Sequence, residues 1–237
     1  MKNINIDFSS EQSVLESLDN LAHKLFDQIL CINNSKYYLM DFEFYVKSRN
    51  SNVFKDEYTY SSEAQLKKGN FFFHKSGLDI TWGNEDLYVG ILIRSVAKLF
   101  DSTVPNSEQS TNQAYKIGKY IMGPQMVADE LINQINILEG TRIFFEEKHY
   151  AGLDADLKFP HISKTKRVGL PPKNFDDSEK FRLLPLRYIA FLPDRIMKEI
   201  YPKGNVKDIS NILVADLEND LEKLTDLLGY LPNTLKK

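Results

Sequence analysis

The chain of 237 residues carries a single cysteine, Cys31, and a single tryptophan, Trp82. One cysteine excludes an internal disulfide framework and a multi-cysteine metal site, and it fits a reducing cytoplasm. No apolar run approaches the roughly 20 residues of a membrane span. The stretch from Met1 to Asp7 has no apolar signal core, so a cytoplasmic location without membrane contact is expected. The histidines, His23, His74, His149 and His161, show no metal-ligand spacing. There is no glycine-rich phosphate loop and no nucleophile elbow, so neither a metal nor another cofactor is expected. Repeats and low-complexity tracts are absent. So is an excess of positive charge: 30 Lys and Arg stand against 33 Asp and Glu, a formal net charge of -3. Duplex-DNA binders usually carry a basic footprint, and an acidic average counts against a strong one.

What remains is an ordinary globular composition, 42% hydrophobic and 27% charged, with 15 Phe and 12 Tyr. A chain of this length buries about 70% of its unfolded surface and needs no staples. Leu15, Leu18, Leu21, Leu25 and Ile29 recur at helical spacing, which predicts a helix over 10–30 behind the cap candidates Ser9 and Ser10. Residues 36–47 alternate: Tyr38, Met40, Phe42, Phe44 and Val46 form an apolar face, opposite Asp41, Glu43 and Tyr45. Residues 48–70 read as a polar loop, 71–74 and 77–81 as short strands, and 87–96 as a buried strand. A surface loop is expected at 101–113 and a helix over 124–138. Further strands are expected at 142–146, 164–169 and 186–191, and a long amphipathic helix at 206–228. Strands outnumber helices and lie close in sequence. That predicts an α+β fold, a curved and largely antiparallel sheet flanked by helices, with one domain over 1–205 and the C-terminal helix over 206–237 packed on it or on a partner.

Two charged residues stand out. Glu43 lies on the polar face of a strand whose other face is wholly apolar. Such a face is ordinarily just solvated; the alternative is a carboxylate placed in a cleft. Arg94 ends the apolar run Leu87 to Ile93 and needs a countercharge, which Asp41, Glu43 or Asp79 could supply as a structural ion pair.

Several short blocks occur in a fixed order: Leu25-Phe26-Asp27-Gln28-Ile29-Leu30, Phe42-Glu43-Phe44-Tyr45, Gly90-Ile91-Leu92-Ile93-Arg94, Gly123-Pro124, Arg167-Val168-Gly169 and Pro185-Leu186-Arg187-Tyr188. Their order and spacing over residues 14–191 resemble the alkyladenine (3-methyladenine) DNA glycosylase family. The resemblance implies that family's single-domain α/β fold and a role in base-excision DNA repair. It casts Glu43 as the general base that activates a water against an N-glycosidic bond. Arg94 and the backbone carbonyl of Val168 would help hold that water. A carboxylate suits this chemistry because it both takes the water's proton and stabilises positive charge growing on the sugar. Tyr45, His74 and Leu92 would line a base pocket, His74 standing where the family has a tyrosine.

The departures matter as much. The family's wedge tyrosine has no counterpart in Lys75-Ser76-Gly77. Phe54, Asp56 and Tyr58 occupy the neighbourhood of its pocket histidine. The densest basic cluster includes Lys164, Lys166 and Arg167, a candidate phosphate strip flanked by Asp154, Asp156, Asp176 and Asp177; it is otherwise a charged surface loop. The leading expectation is therefore removal of alkylated purines from DNA. The rivals are hydrolysis of a free or single-stranded nucleotide or nucleoside, and a non-catalytic binding protein of the same fold. DNA is an expected partner only through weak binding. A homodimer through the leucine stripe Leu213, Leu217, Leu221, Leu224 and Leu228 is an alternative use of the C-terminal helix.

Overall fold

In a computed structural model the described residues are 5–102, 114–148, 160–175, 177–192, 206–217 and 219–228. The expected loop at 101–113 lies, from residue 103 onward, outside the described residues, as do His149, Asp154, Asp156 and Asp176. The architecture is α+β: a curled antiparallel sheet with a few helices around it.

Helix α1 spans Glu11–Phe26, and the Ser10 hydroxyl accepts the Ser13 N–H at 3.0 Å. Its stripe of Val14, Leu18, Leu21 and Leu25 is buried. The helix does not continue to residue 30. The chain leaves it at Asp27 and enters strand β1, Gln28–Ile32, whose residues are all buried. An apolar run buried on both faces has no period of its own, so helix and strand read alike in the sequence. The hairpin turn decides it: Asn33, at φ 52°, returns the chain antiparallel as strand β2, Ser35–Ser48.

β2 and strand β5, Leu87–Ser102, pair antiparallel along nearly their full lengths and form the spine of the sheet. Each offers its outer edge to two neighbours in turn. On β2, β1 pairs as far as Tyr38, and strand β9, Arg187–Phe191, takes over from Asp41 to Glu43. On β5, strand β4, Gly77–Trp82, pairs up to Leu92, and strand β6, Ala114–Met122, begins at Ser95. Strand β3, Lys68–His74, continues beyond β4; strand β7, Ile143–Glu147, beyond β1; strand β8, His161–Thr165, beyond β9. The sheet thus forks, and both forks fall at the same level, between residues 38 and 43 of β2 and 92 and 95 of β5.

The spine is irregular at that level. Met40 is an extra residue in β2 between the pairs Leu39–Val96 and Asp41–Ser95. Arg94 is an extra residue in β5 between Asp41–Ser95 and Phe42–Ile93. Bulges of this kind re-aim side chains, and here Arg94 is brought toward Glu43 and Asp41. The other face is aromatic: Phe42 packs on Phe26 at 4.9 Å and on Tyr188 at 5.9 Å between ring centroids.

Helix α2 covers Pro124–Ile132 and stops short of the expected residue 138. Helix α3 is Ser178–Leu183. The expected single helix over 206–228 is two, α4 at Val206–Leu217 and α5 at Leu221–Leu228. Asp220 divides them: its carboxylate accepts the Lys223 N–H at 3.1 Å, and its carbonyl starts the new helix. The break shifts the apolar stripe. Leu213, Leu217, Leu224 and Leu227 are buried, whereas Leu221 is 41% exposed. α4 packs on β8, where His161 Nε2 lies 3.8 Å from Asp216 Oδ2. Leu213, Leu217 and Leu224 of the expected stripe are thus buried on this chain, whereas Leu221 faces out. No helix among the described residues is long and apolar enough to cross a membrane.

Gly90 is required by close approach. A Cβ there would lie 2.2 Å from Asp79 Oδ2 and 2.5 Å from Gln65 Nε2. Gly90→Ala is expected to destabilise the fold by about 1–3 kcal/mol through overpacking. Denaturant titration with an unchanged midpoint would show that the site has slack.

Candidate functional site

The face of β2 opposite the aromatic core presents Asp41, Glu43 and Tyr45. It is not a solvated face: Asp41 is 4% and Glu43 0% exposed. Cross-strand neighbours complete one row, Asp79, Leu92, Glu43 and Arg187, on four adjacent strands. At about 4.8 Å per strand, Asp79 and Glu43 are about 10 Å apart at the backbone.

Glu43 is held from three sides. Oε1 lies 3.3 Å from Arg94 Nη1 and accepts the Val168 backbone N–H at 2.9 Å, and Oε2 accepts the Tyr45 hydroxyl at 2.9 Å. Asp41 takes a two-pronged contact from Arg187, Nε at 2.9 Å and Nη2 at 2.6 Å. Arg94 Nε stands 3.8 Å from the same carboxylate. The centre therefore balances two carboxylates against two guanidinium groups. Arg94 Nε and Ser95 Oγ are buried and make no hydrogen bond among the described residues.

Burial pushes the Glu43 carboxyl above its ordinary value. Arg94, the Val168 N–H and the Tyr45 hydroxyl pull the other way without overcoming that cost, and Asp41 adds to the rise. The sign follows: folding favours the protonated carboxyl, so Glu43's contribution is most favourable at low pH and is lost as pH rises through its folded value. Tyr45 is raised as well, first by burial and then by the Glu43 charge.

Glu43, Arg94 and Val168, drawn from three distant segments, are brought together. Val168 meets Glu43 directly through its backbone N–H. Tyr45 is not an open stacking platform, because the Arg167 guanidinium lies 4.7 Å from its ring centre. Leu92 is 3% exposed and faces Glu43 across the strand pair. His74 belongs to a second cluster. Its Nδ1 accepts the Ser76 N–H at 3.2 Å, which assigns the ring proton to Nε2, 2.9 Å from Asp79 Oδ1. Asp79 Oδ2 accepts from Gln65 Nε2 at 3.0 Å. Tyr60 and Phe72 pack on the imidazole at 4.6 and 5.4 Å, so its ring too is occupied by protein.

Two of the three cations of the expected basic strip are engaged within the protein. Arg167 has a fully buried side chain, ion-paired to Asp56 at 2.5 Å and donating to the carbonyls of Phe44 and Phe181. Lys164 is bound to Asp19 at 2.6 Å. Only Lys166 of the three is an exposed residue. An arginine beside a valine in a loop gave no hint of burial; its partner, Asp56, lies 111 residues earlier. Arg187 pairs with Asp41 from 146 residues away, a contact with no local signal in the sequence. Among the described residues no group of three or more His, Cys, Asp and Glu side chains could hold a metal ion.

No protein-family model matches the chain, and no curated protein matches it.

The Arg167–Asp56 pair is the clearest structural ion pair of the region, with both side chains at 0% exposure. Asp56→Ala is expected to cost about 3–5 kcal/mol, because it leaves a buried guanidinium without countercharge. A loss below about 1 kcal/mol in denaturant titration would show that water reaches Arg167.

Proposed function

We propose that the chain is a hydrolase of N-glycosidic bonds acting on a free or single-stranded nucleoside or nucleotide, with Glu43 as general base. The observation that carries this is the fully buried Glu43 carboxylate, met by Arg94, the Val168 N–H and the Tyr45 hydroxyl from three separate segments; burial pushes its carboxyl upward, which fits a general base. Desolvation can outweigh attraction in structural ion pairs as well, but carboxylates perturbed by burial beside specific charge partners cluster at catalytic sites. The free hydrogen-bonding capacity of Arg94 Nε supports the same reading, since a bound substrate or water would satisfy it.

Catalysis requires Glu43 to exchange the Val168 N–H for a water. That segment is suited to move: Val168 is 47% exposed and Gly169 adopts φ 74°. The freed Oε1 then takes the water's proton as the water oxygen bonds to the anomeric carbon and the C–N bond breaks; the electron pair leaves on the base, which takes a proton from solvent, while Arg94 keeps the carboxylate in place. Duplex DNA is the less favoured substrate, because Lys164 and Arg167 are engaged within the protein. With Lys166 the one cation of these three unengaged among the described residues, the salt slope for duplex binding is expected to be about -1, where three or four contacts would give about -3. A measured slope of -3 or steeper would restore the DNA-repair reading.

Turnover should be assayed over nucleosides, nucleotides and lesion-bearing single and duplex oligonucleotides. Glu43→Gln is expected to lower turnover by about 100-fold or more, because an amide cannot accept the proton. The rate should rise with pH along a limb centred above the ordinary 4.5 and vanish as pH falls through it, since only the ionised carboxylate is a base. Absence of cleavage on every N-glycoside, together with a large loss of stability in Glu43→Gln, would overturn the proposal in favour of a non-catalytic protein with a structural charge cluster.

A further inference from the structure

Strand β7 lies at one end of the sheet, and no strand among the described residues pairs with its outer edge. Unpaired edges are usually blunted by charge or covered. This one instead exposes large apolar side chains on both faces, Ile143 at 41% and Phe144 at 42%. The turn leading into it carries two more, Ile137 at 88% and Leu138 at 93%. We propose that the chain forms a two-fold dimer in which β7 pairs antiparallel with β7 of a second copy, with Phe144 against Phe144 at the axis.

The occupant follows from symmetry and charge. A two-fold axis perpendicular to a sheet keeps each residue on its own face, so a residue pairs with one of equal parity in the other copy. Arg142 and Glu146 lie two positions either side of Phe144 and share its face. With Phe144 on the axis, Arg142 of each copy stands opposite Glu146 of the other. The strand is thus self-complementary: cation meets carboxylate twice and an aromatic pair sits between them. Shifting the axis to Phe145 would set Arg142 opposite Lys148, a like-charge pair, and disfavours that register. Both charged groups have room for the contact. Arg142 is exposed with its guanidinium 5.8 Å from the Phe144 ring, and Lys36 Nζ engages Glu146 through Oε1, at 2.7 Å.

Directly opposed residues in such a pair have Cα atoms about 4.5–5.5 Å apart, within the range of a disulfide. Phe144→Cys under mild oxidation is therefore expected to give a covalent dimer, while Ile143→Cys, which would face Phe145, stays uncrosslinked. The native Cys31 is buried at 1% exposure and does not interfere. Light scattering of the wild-type chain at high micromolar concentration is expected to give twice the monomer mass. Phe144→Asp, which opposes two carboxylates at the axis, should weaken association about tenfold or more with an unchanged circular-dichroism spectrum. A monomeric wild type, equal crosslinking at both positions, or crosslinking at 143 alone would each overturn the proposal.

Discussion

The structure depends on burying four charges at the level where its sheet forks. Asp41 and Glu43 on β2 face Arg94 on β5 and Arg187 on β9, and the most exposed of these side chains, Arg94, is 19% accessible. Transferring such groups from water is costly unless each finds a partner, and here the partners come from three strands and the Val168 loop. The arrangement constrains the whole sheet. β1 must end before Asp41 so that β9 can bring Arg187, and β4 must end before Ser95 so that Arg94 can bulge out of register. The fork, the paired bulges and the charge cluster are one feature seen at three scales.

Around this centre, buried polar groups fall into three linked sets: Asp41 and Glu43 with Arg94 and Arg187, Asp56 with Arg167, and Gln65 with Asp79 and His74. Tyr45 joins the first two, bonding Glu43 with its hydroxyl and lying under Arg167 with its ring. Gly90, opposite Tyr45 across the strand pair, leaves the space that the third set fills. An apolar core of ordinary composition lies on the other side of the same strands. The sets differ in degree. The Arg167–Asp56 pair has both side chains fully buried, whereas Glu43 shares its carboxylate among Arg94, the Val168 N–H and the Tyr45 hydroxyl; Arg167 Nε and Arg94 Nε are both buried without a hydrogen bond among the described residues.

Much of this was legible in the sequence. The alternation Tyr38 to Val46 located β2 and its two faces, and the apolar run ending in Arg94 located β5. The contact of Arg94 with Glu43 follows from a buried arginine's need for a carboxylate on a neighbouring strand. What was not legible depended on distant partners or on geometry without period. The run Gln28–Ile32 reads as helix until the Asn33 turn is known. Asp220 breaks the C-terminal helix through a local cap that the leucine spacing overrides on paper. Lys164 and Arg167 look like phosphate contacts until Asp19 and Asp56 are folded against them. β6 was not expected, because Ala114–Met122 mixes lysines with apolar residues on a strand that pairs only with the far half of β5.

The central claim is that Glu43 is a desolvated base and not half of an optimised ion pair. The most direct test is a carbon-13 NMR titration of the Glu43 side-chain carboxyl in the unmodified chain. A midpoint clearly above the ordinary 4.5 is the expected result. A midpoint at or below 4.5 would mean that Arg94, Val168 and Tyr45 more than offset burial, and would make the cluster a structural lock.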